Sequence, residues 1–160
     1  MKRLIFTALC LGVAACIFGG CFAAENNNAG NAALAANVQK KVQTVKININ
    51  ANGKALTAEL EDNAASRALL QKMPLNLPML NLYGREMCYR FNEALPTGQL
   101  RSDNYEVGDI VYWPPSHSFV ILYKQNGECF ERQHLGRIIN GDLSVFESGD
   151  EMQVSFSEAE

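Results

Sequence analysis

The chain has 160 residues, 48% of them apolar and 19% charged, with 14 Lys and Arg against 17 Asp and Glu. That is one domain's worth of polypeptide. A net charge of −3 provides no electrostatic footprint for nucleic acid or for an anionic membrane surface, which excludes both as partners of the bare polypeptide.

Met1, Lys2 and Arg3 make a short cationic start, and residues 4–20 run without a charge or an amide. This is the layout of a secretory signal peptide over residues 1–20. A spanning helix needs about 20 strongly apolar residues, whereas Thr7, Gly12, Gly19 and Gly20 weaken the far end. Phe18-Gly19-Gly20-Cys21 and Val13-Ala14-Ala15-Cys16 both resemble the bacterial lipobox, whose cysteine is acylated and becomes the mature N-terminus. Val13 suits the third upstream position better than Phe18, but Cys21 leads sooner into polar sequence. Cys21 is therefore the expected lipidation site, with Cys16 as the alternative and ordinary cleavage near Ala23 or Ala24 as the third option. The anchor is the only membrane attachment expected, and it places a lipoprotein in the cell envelope facing the periplasm or exterior. Residues 21–43, poor in large apolar side chains, read as a flexible Asn/Ala-rich tether. The folded domain is expected over 44–158. Without Lys2 and Arg3 the side-chain charge becomes −5.

Cys88 and Cys129 are the cysteines left to that domain. In an exported setting two thiols either pair or serve as two small core residues, and sequence cannot place their Cα atoms within bridging distance.

The first elements are the clearest. Val45, Ile47 and Ile49 alternate with polar residues, and the alternation resumes at Leu56, Ala58 and Leu60 after Asn52-Gly53. Asn-Gly between alternating runs is a strong hairpin signal. With Asn52 and Gly53 at the turn, Ile49 opposes Leu56, Ile47 opposes Ala58 and Val45 opposes Leu60, so all six share one face. Asn63 then caps a helix over 64–73 stopped by Pro74, with Ala65, Leu69 and Met73 on one stripe. Residues 75–82 are rich in Leu, Pro and Asn, and Tyr83-Gly84 breaks the chain. Met87, Tyr89 and Phe91 alternate with Cys88 and Arg90 as a strand. Further strands are expected over 110–113, over 119–123 with burial on both faces, over 135–139, and at Met152, Val154 and Phe156. Residues 142–146 suggest a second short helix. Many short strands with one or two short helices imply a mainly β barrel or sandwich.

The chemistry-bearing motifs are few. His117 and His134 sit in no zinc-binding spacing, so no metal is expected. No GxSxG elbow, P-loop or GxGxxG fingerprint occurs, no cofactor is expected, and Gly84, Gly98, Gly108, Gly136 and Gly141 read as turn residues. Cys129 with His134 as nucleophile and base is outweighed by a core thiol near a surface histidine. Tyr112, Trp113, Pro114, Pro115 and Phe119 cluster aromatic and proline residues around the single tryptophan. They suit either a groove for a proline-containing peptide or small ring, or a turn whose Trp plugs a barrel end. Arg90, on an apolar strand, points to solvent or reaches into a pocket to bind a carbonyl or carboxylate.

From Val45 to Phe156 the chain resembles the bacterial cyclophilin-like fold proteins. The resemblance rests on Val45-Lys46-Ile47-Asn48-Ile49, Leu60-Glu61-Asp62-Asn63-Ala64-Ala65, Met73-Pro74-Leu75, Leu82-Tyr83-Gly84, the run from Val107-Gly108-Asp109 through Tyr112-Trp113-Pro114-Pro115, and Leu135-Gly136-Arg137-Ile138. It implies a closed eight-stranded β-barrel with one or two short capping helices. Cyclophilins isomerise prolyl peptide bonds, a barrier of about 18–20 kcal/mol, with an arginine that donates to the prolyl nitrogen or neighbouring carbonyl above an apolar pocket. The resemblance places Arg90 on the strand of that arginine, and Trp113, Phe119 and Leu122 on pocket-lining strands. The Gln-Gly-Gly-Asp segment that follows the arginine in cyclophilins is replaced here by Asn92-Glu93-Ala94-Leu95-Pro96-Thr97-Gly98-Gln99, so the fold carries over before the activity does. The expected function is an exported domain that binds a peptide or small ligand through Arg90, Tyr112, Trp113, Phe119 and Leu122 without catalysis. A divergent prolyl isomerase using Arg90 is the alternative, and a structural envelope module the second alternative.

Overall fold

The computed structural model describes residues 43–160. The expected signal over 1–20, the lipidation candidates Cys16 and Cys21, and all but the last residue of the tether expected over 21–43 lie outside the described residues.

Eight antiparallel strands close a barrel: β1 (Thr44–Ala51), β2 (Lys54–Glu61), β3 (Leu75–Leu82), β4 (Glu86–Arg90), β5 (Asp109–Trp113), β6 (Ser118–Leu122), β7 (Gln133–Asn140) and β8 (Glu151–Glu158). Around the barrel they run β1, β2, β7, β5, β6, β4, β3, β8, and β8 pairs back with β1. Closure gives every strand a neighbour on each side. The first hairpin has the expected register, with Ile49 opposite Leu56, Ile47 opposite Ala58 and Val45 opposite Leu60. Asn52 and Gly53 both take left-handed φ, as a two-residue hairpin turn requires.

Helix α1 (Ala64–Leu70) is shorter than expected and gives way to a turn before the cis Met73–Pro74 bond. Asn63 caps it by accepting from the Ser66 N–H at 2.9 Å, a contact of about 1 kcal/mol. The helix docks on β7, where Ser66 Oγ donates to the Leu135 carbonyl and Asn63 Nδ2 to that of His134. A 3₁₀ turn at Leu143–Glu147, capped by Asp142, takes the place of the second helix. β3, for which no element is expected from the Leu-, Pro- and Asn-rich stretch, alternates buried Leu77 and Met79 with exposed Asn76, Pro78 and Leu80. Pro78 is tolerated because that part of β3 pairs with β8 alone; pairing with β4 starts at Leu80.

Gly136 lies inside β7 and is not a turn residue. A Cβ there would stand 2.0 Å from the Glu59 carbonyl oxygen of β2. The β5–β7 register shifts beside it, from Ile110 opposite Gly136 to Val111 opposite His134. Such a bulge re-aims side chains, and here it turns His134 and Arg137 toward Asp109.

Two apolar layers result. The barrel interior holds Ile47, Leu60, Met79, Met87, Tyr112, Phe119 and Phe156 among others. A smaller layer lies outside β4, β6 and β5, where Cys88, Val111, Val120 and Leu122 are covered by Tyr105 and Phe130. β6 is therefore buried on both faces along its whole length.

Candidate functional site

Strand periodicity decides which side chains reach the outer layer. On β4, Met87 and Tyr89 join the interior, leaving Glu86, Cys88 and Arg90 outside. On β5 and β6, Tyr112 and Phe119 point inward, while Trp113, Ser118 and Val120 face out. A cavity of about 350 Å3 lies over these outward residues, bounded by the β3–β4 turn and the loop over 123–131. That volume falls at the lower end of small-ligand sites, about 300–1,000 Å3.

The five sequence candidates therefore divide. Arg90 and Trp113 line the cavity. Tyr112 and Phe119 are fully buried inside the barrel, a correction to the expected grouping: they are opposite each other across β5–β6, and their neighbours Trp113 and Ser118 occupy the outer face instead. The Tyr112 hydroxyl accepts from the Leu95 N–H at 3.0 Å. Leu122 is outside the interior but completely covered, so it supports the outer layer without lining the cavity.

The residue that dominates the cavity was not among the candidates. Arg85 follows the turn formed by Tyr83 and Gly84, both at left-handed φ, and its side chain is 9% exposed. Its guanidinium carbon stands 5.6 Å from the Tyr83 ring centroid, 5.8 Å from Tyr105 and 5.5 Å from Phe130. Three aromatic faces around one cation fix its position and stabilise its charge. Nη1 donates to Asn126 Oδ1 at 3.0 Å and meets Glu128 Oε2 at 2.7 Å. Nε is 3.2 Å from Glu86 Oε2 but makes no hydrogen bond. The missed signal is a charged pair, Arg85-Glu86, placed between a turn and an apolar strand. Its partners Glu128 and Phe130 come from a loop that sequence does not connect to it.

Burial raises the Glu86 carboxyl above its usual range; the adjacent Arg85 charge opposes this without cancelling it, and Glu128 adds to the rise. Burial likewise raises the Cys88 thiol against an opposing hydrogen bond from Ser118, with Glu86 reinforcing the rise and Arg90 opposing it. A thiol held protonated is a poor nucleophile. Cys88 is buried, Cys129 is exposed, and both are free.

A second charged cluster, over a cleft of about 420 Å3, spans β2, β7 and β5. Asp109 accepts from Arg137 Nε at 2.9 Å and from the Glu106 N–H at 2.9 Å. His134 stands between Glu61 Oε1, 2.8 Å from Nδ1, and Asp109 Oδ1, 3.5 Å from Nε2. Burial works to raise the Asp109 carboxyl, but the hydrogen bonds from His134, the Glu106 N–H and Arg137 outweigh it and hold it at about 2. The surroundings of Cys129 and His134 are the reverse of the sequence reading: the thiol is exposed and contacts Asn104, while the histidine is 12% exposed and engaged by carboxylates. A wider depression of about 710 Å3 over β1, β2 and β8 has no charged side chain in its lining.

Comparison with known proteins agrees with this architecture. The solution structure of the hypothetical protein AF2241 from Archaeoglobus fulgidus superposes with a TM-score of 0.58 at 18% identity, over 76% of this chain and 99% of that one. The structure of McbB in complex with tryptophan superposes with a TM-score of 0.54 at 12% identity, over 69% of this chain and 44% of that one. At these identities the likeness is one of fold. No curated protein matches the sequence. The model of the cyclophilin-like family matches residues 49–157, and the closed eight-stranded barrel has the corresponding architecture: the chain belongs to the cyclophilin-like family.

Proposed function

We propose that the domain binds a peptide or small ligand in the cavity outside β4, β6 and β5, and does so without catalysis. The observation carrying this reading is the convergence of Arg85, Arg90 and the sole tryptophan, Trp113, on one cavity of about 350 Å3. Aromatic and aliphatic walls supply affinity, and a few fixed polar groups orient the ligand. The thiol inside, Cys88, is held in its unreactive form by burial. Titration of the purified chain with a mixed tetrapeptide pool or a metabolite extract, followed by Trp113 fluorescence, should give a saturable change. No response to either sinks the reading.

Arg90 beside Trp113 in the same cavity favours one second reading, a divergent prolyl isomerase. Isomerisation of a proline-containing peptide that disappears in Arg90→Ala, with the circular dichroism spectrum unchanged, replaces the binding-only reading. Export completes the proposal. The cationic start, the apolar run over 4–20 and Cys21 support a lipid-anchored envelope protein. Cys21→Ser should abolish incorporation of labelled palmitate; labelling that is lost only in Cys16→Ser moves the anchor to Cys16.

A further inference from the structure

We propose that the cavity selects ligands carrying a free carboxylate on an apolar body, and that the carboxylate takes the position on Arg85 now held by Glu128. This deepens the binding reading above and rests on it. Arg85 is nine-tenths buried and fixed by three aromatic rings, so its donors cannot swing out to water. One of them, Nε, has no hydrogen-bond partner. That donor is covered and faces Glu86 at 3.2 Å, so an acceptor arriving in the cavity meets the Nη end of the guanidinium, where Glu128 sits.

The counter-ion is built differently. Glu128 is 65% exposed in a loop, and its carboxylate meets Arg85 at Nη1, 2.7 Å away. An exposed side chain held by one ion pair loses little when released. The other neighbouring carboxyl, Glu86, is carried by β4 itself and is almost fully covered, so it cannot leave. The site therefore consists of a fixed cation and an exchangeable anion. A ligand carboxylate spanning Nη1 and Nη2, the end of the guanidinium where Glu128 now sits, gains a two-pronged charge-assisted contact. Trp113, Val120 and Phe130 provide the apolar wall for the rest of the ligand, and Arg90 adds a second cation on the same cavity. The chemistry is shared by a peptide C-terminus and a free aryl or alkyl acid.

The test uses Trp113 fluorescence of the full chain with three probes: N-acetyl-phenylalanine, its carboxamide, and Ala-Ala-Ala-Phe with a free carboxyl. The acid is expected to bind at least ~10-fold more tightly than the amide, as charge-assisted pairing predicts. Glu128→Gln, at a side chain that is 65% exposed, should tighten acid binding by about threefold or more and leave the amide unchanged. Tighter binding of the tetrapeptide than of N-acetyl-phenylalanine assigns the site to peptide termini; the reverse order assigns it to small acids. Equal affinity for acid and amide overturns the carboxylate inference while leaving the pocket reading in place. Weaker acid binding in Glu128→Gln overturns the exchange. Silence from all three probes, in wild type and variant alike, overturns the carboxylate inference, and silence extending to the mixed pools takes the pocket reading with it.

Discussion

The two charged clusters on this barrel, one around Asp109 and the other around Arg85, are both largely buried, yet they are built on opposite plans. Around Asp109 each oxygen of the central carboxylate has a donor: Arg137 and His134 approach Oδ1, and the Glu106 N–H satisfies Oδ2. Around Arg85 the central guanidinium keeps one donor unpaired, and one counter-ion comes from an exposed loop. A saturated cluster fastens strands together, here β7 to β5 and, through Glu61, to β2. A buried cation whose counter-ion is an exposed side chain beside an apolar cavity can exchange that counter-ion for a ligand. The contrast is between the two central groups, since the 420 Å3 cleft is also lined by Arg132, whose buried Nε likewise lacks a hydrogen bond.

The largest expected effect is in the geometry that assembles the saturated cluster. Gly136→Ala sets a methyl group against the Glu59 carbonyl, and since both strands belong to a closed barrel neither can retreat. A loss of more than ~3 kcal/mol, or failure to fold, is expected in urea titration. Wild-type stability in the variant would show that the strands separate easily there.

Asp109→Asn comes next, with a loss of about 2–3 kcal/mol at pH 7, because Arg137 and His134 keep their charges or dipoles without their partner. The pH profile gives a sharper result. The folded acid titrates at about 2 against an ordinary value of 3.8, so its stabilisation is complete above pH 4 and disappears as pH falls toward 2. By linkage the loss is roughly 2 kcal/mol. Wild type should show this fall in urea midpoints between pH 4 and pH 2, and Asp109→Asn should lack it; parallel profiles would remove Asp109 as its source.

Glu86→Gln should move stability the other way, and less. The folded Glu86 carboxyl lies above its ordinary 4.5, so ionising it costs stability as pH rises through the interval above that value. The variant should flatten that decline and be no less stable than wild type at pH 7. The smallest stability effect is expected for Glu128→Gln, within about 0.5 kcal/mol, as for other exposed ion pairs. If Glu128→Gln instead destabilised as much as Asp109→Asn, the two clusters would be alike and the contrast between them would fail.

Much of the scaffold was legible in advance. Asn52-Gly53 with its flanking alternation specifies the β1–β2 register, and Asn63 with the Ala65–Leu69 stripe specifies α1, because both depend on residues a few positions apart. β3 was harder, since Pro78 contradicts a strand unless one knows that its pairing there is one-sided. Of the candidate site, Arg90 and Trp113 were legible and Tyr112 and Phe119 were misplaced. An aromatic cluster in sequence is divided between two faces of the sheet by an alternation of one residue.

The sequence by itself determined the leading hairpin and the first helix, set by local periodicity and turn chemistry, and pointed to the family and its closed barrel through the resemblance of its motifs. Only the tertiary structure decided that Arg85, Glu128 and Phe130 would meet: they share no periodic pattern, and the loop carrying the last two is folded across the outer face of β4 and β6 by packing on Tyr105 and Val120. Arg85 becomes a buried cation only because that loop, with Glu128 and Phe130, lies over it. Burial is a property of what lies across a residue in space, which its neighbours along the chain do not encode.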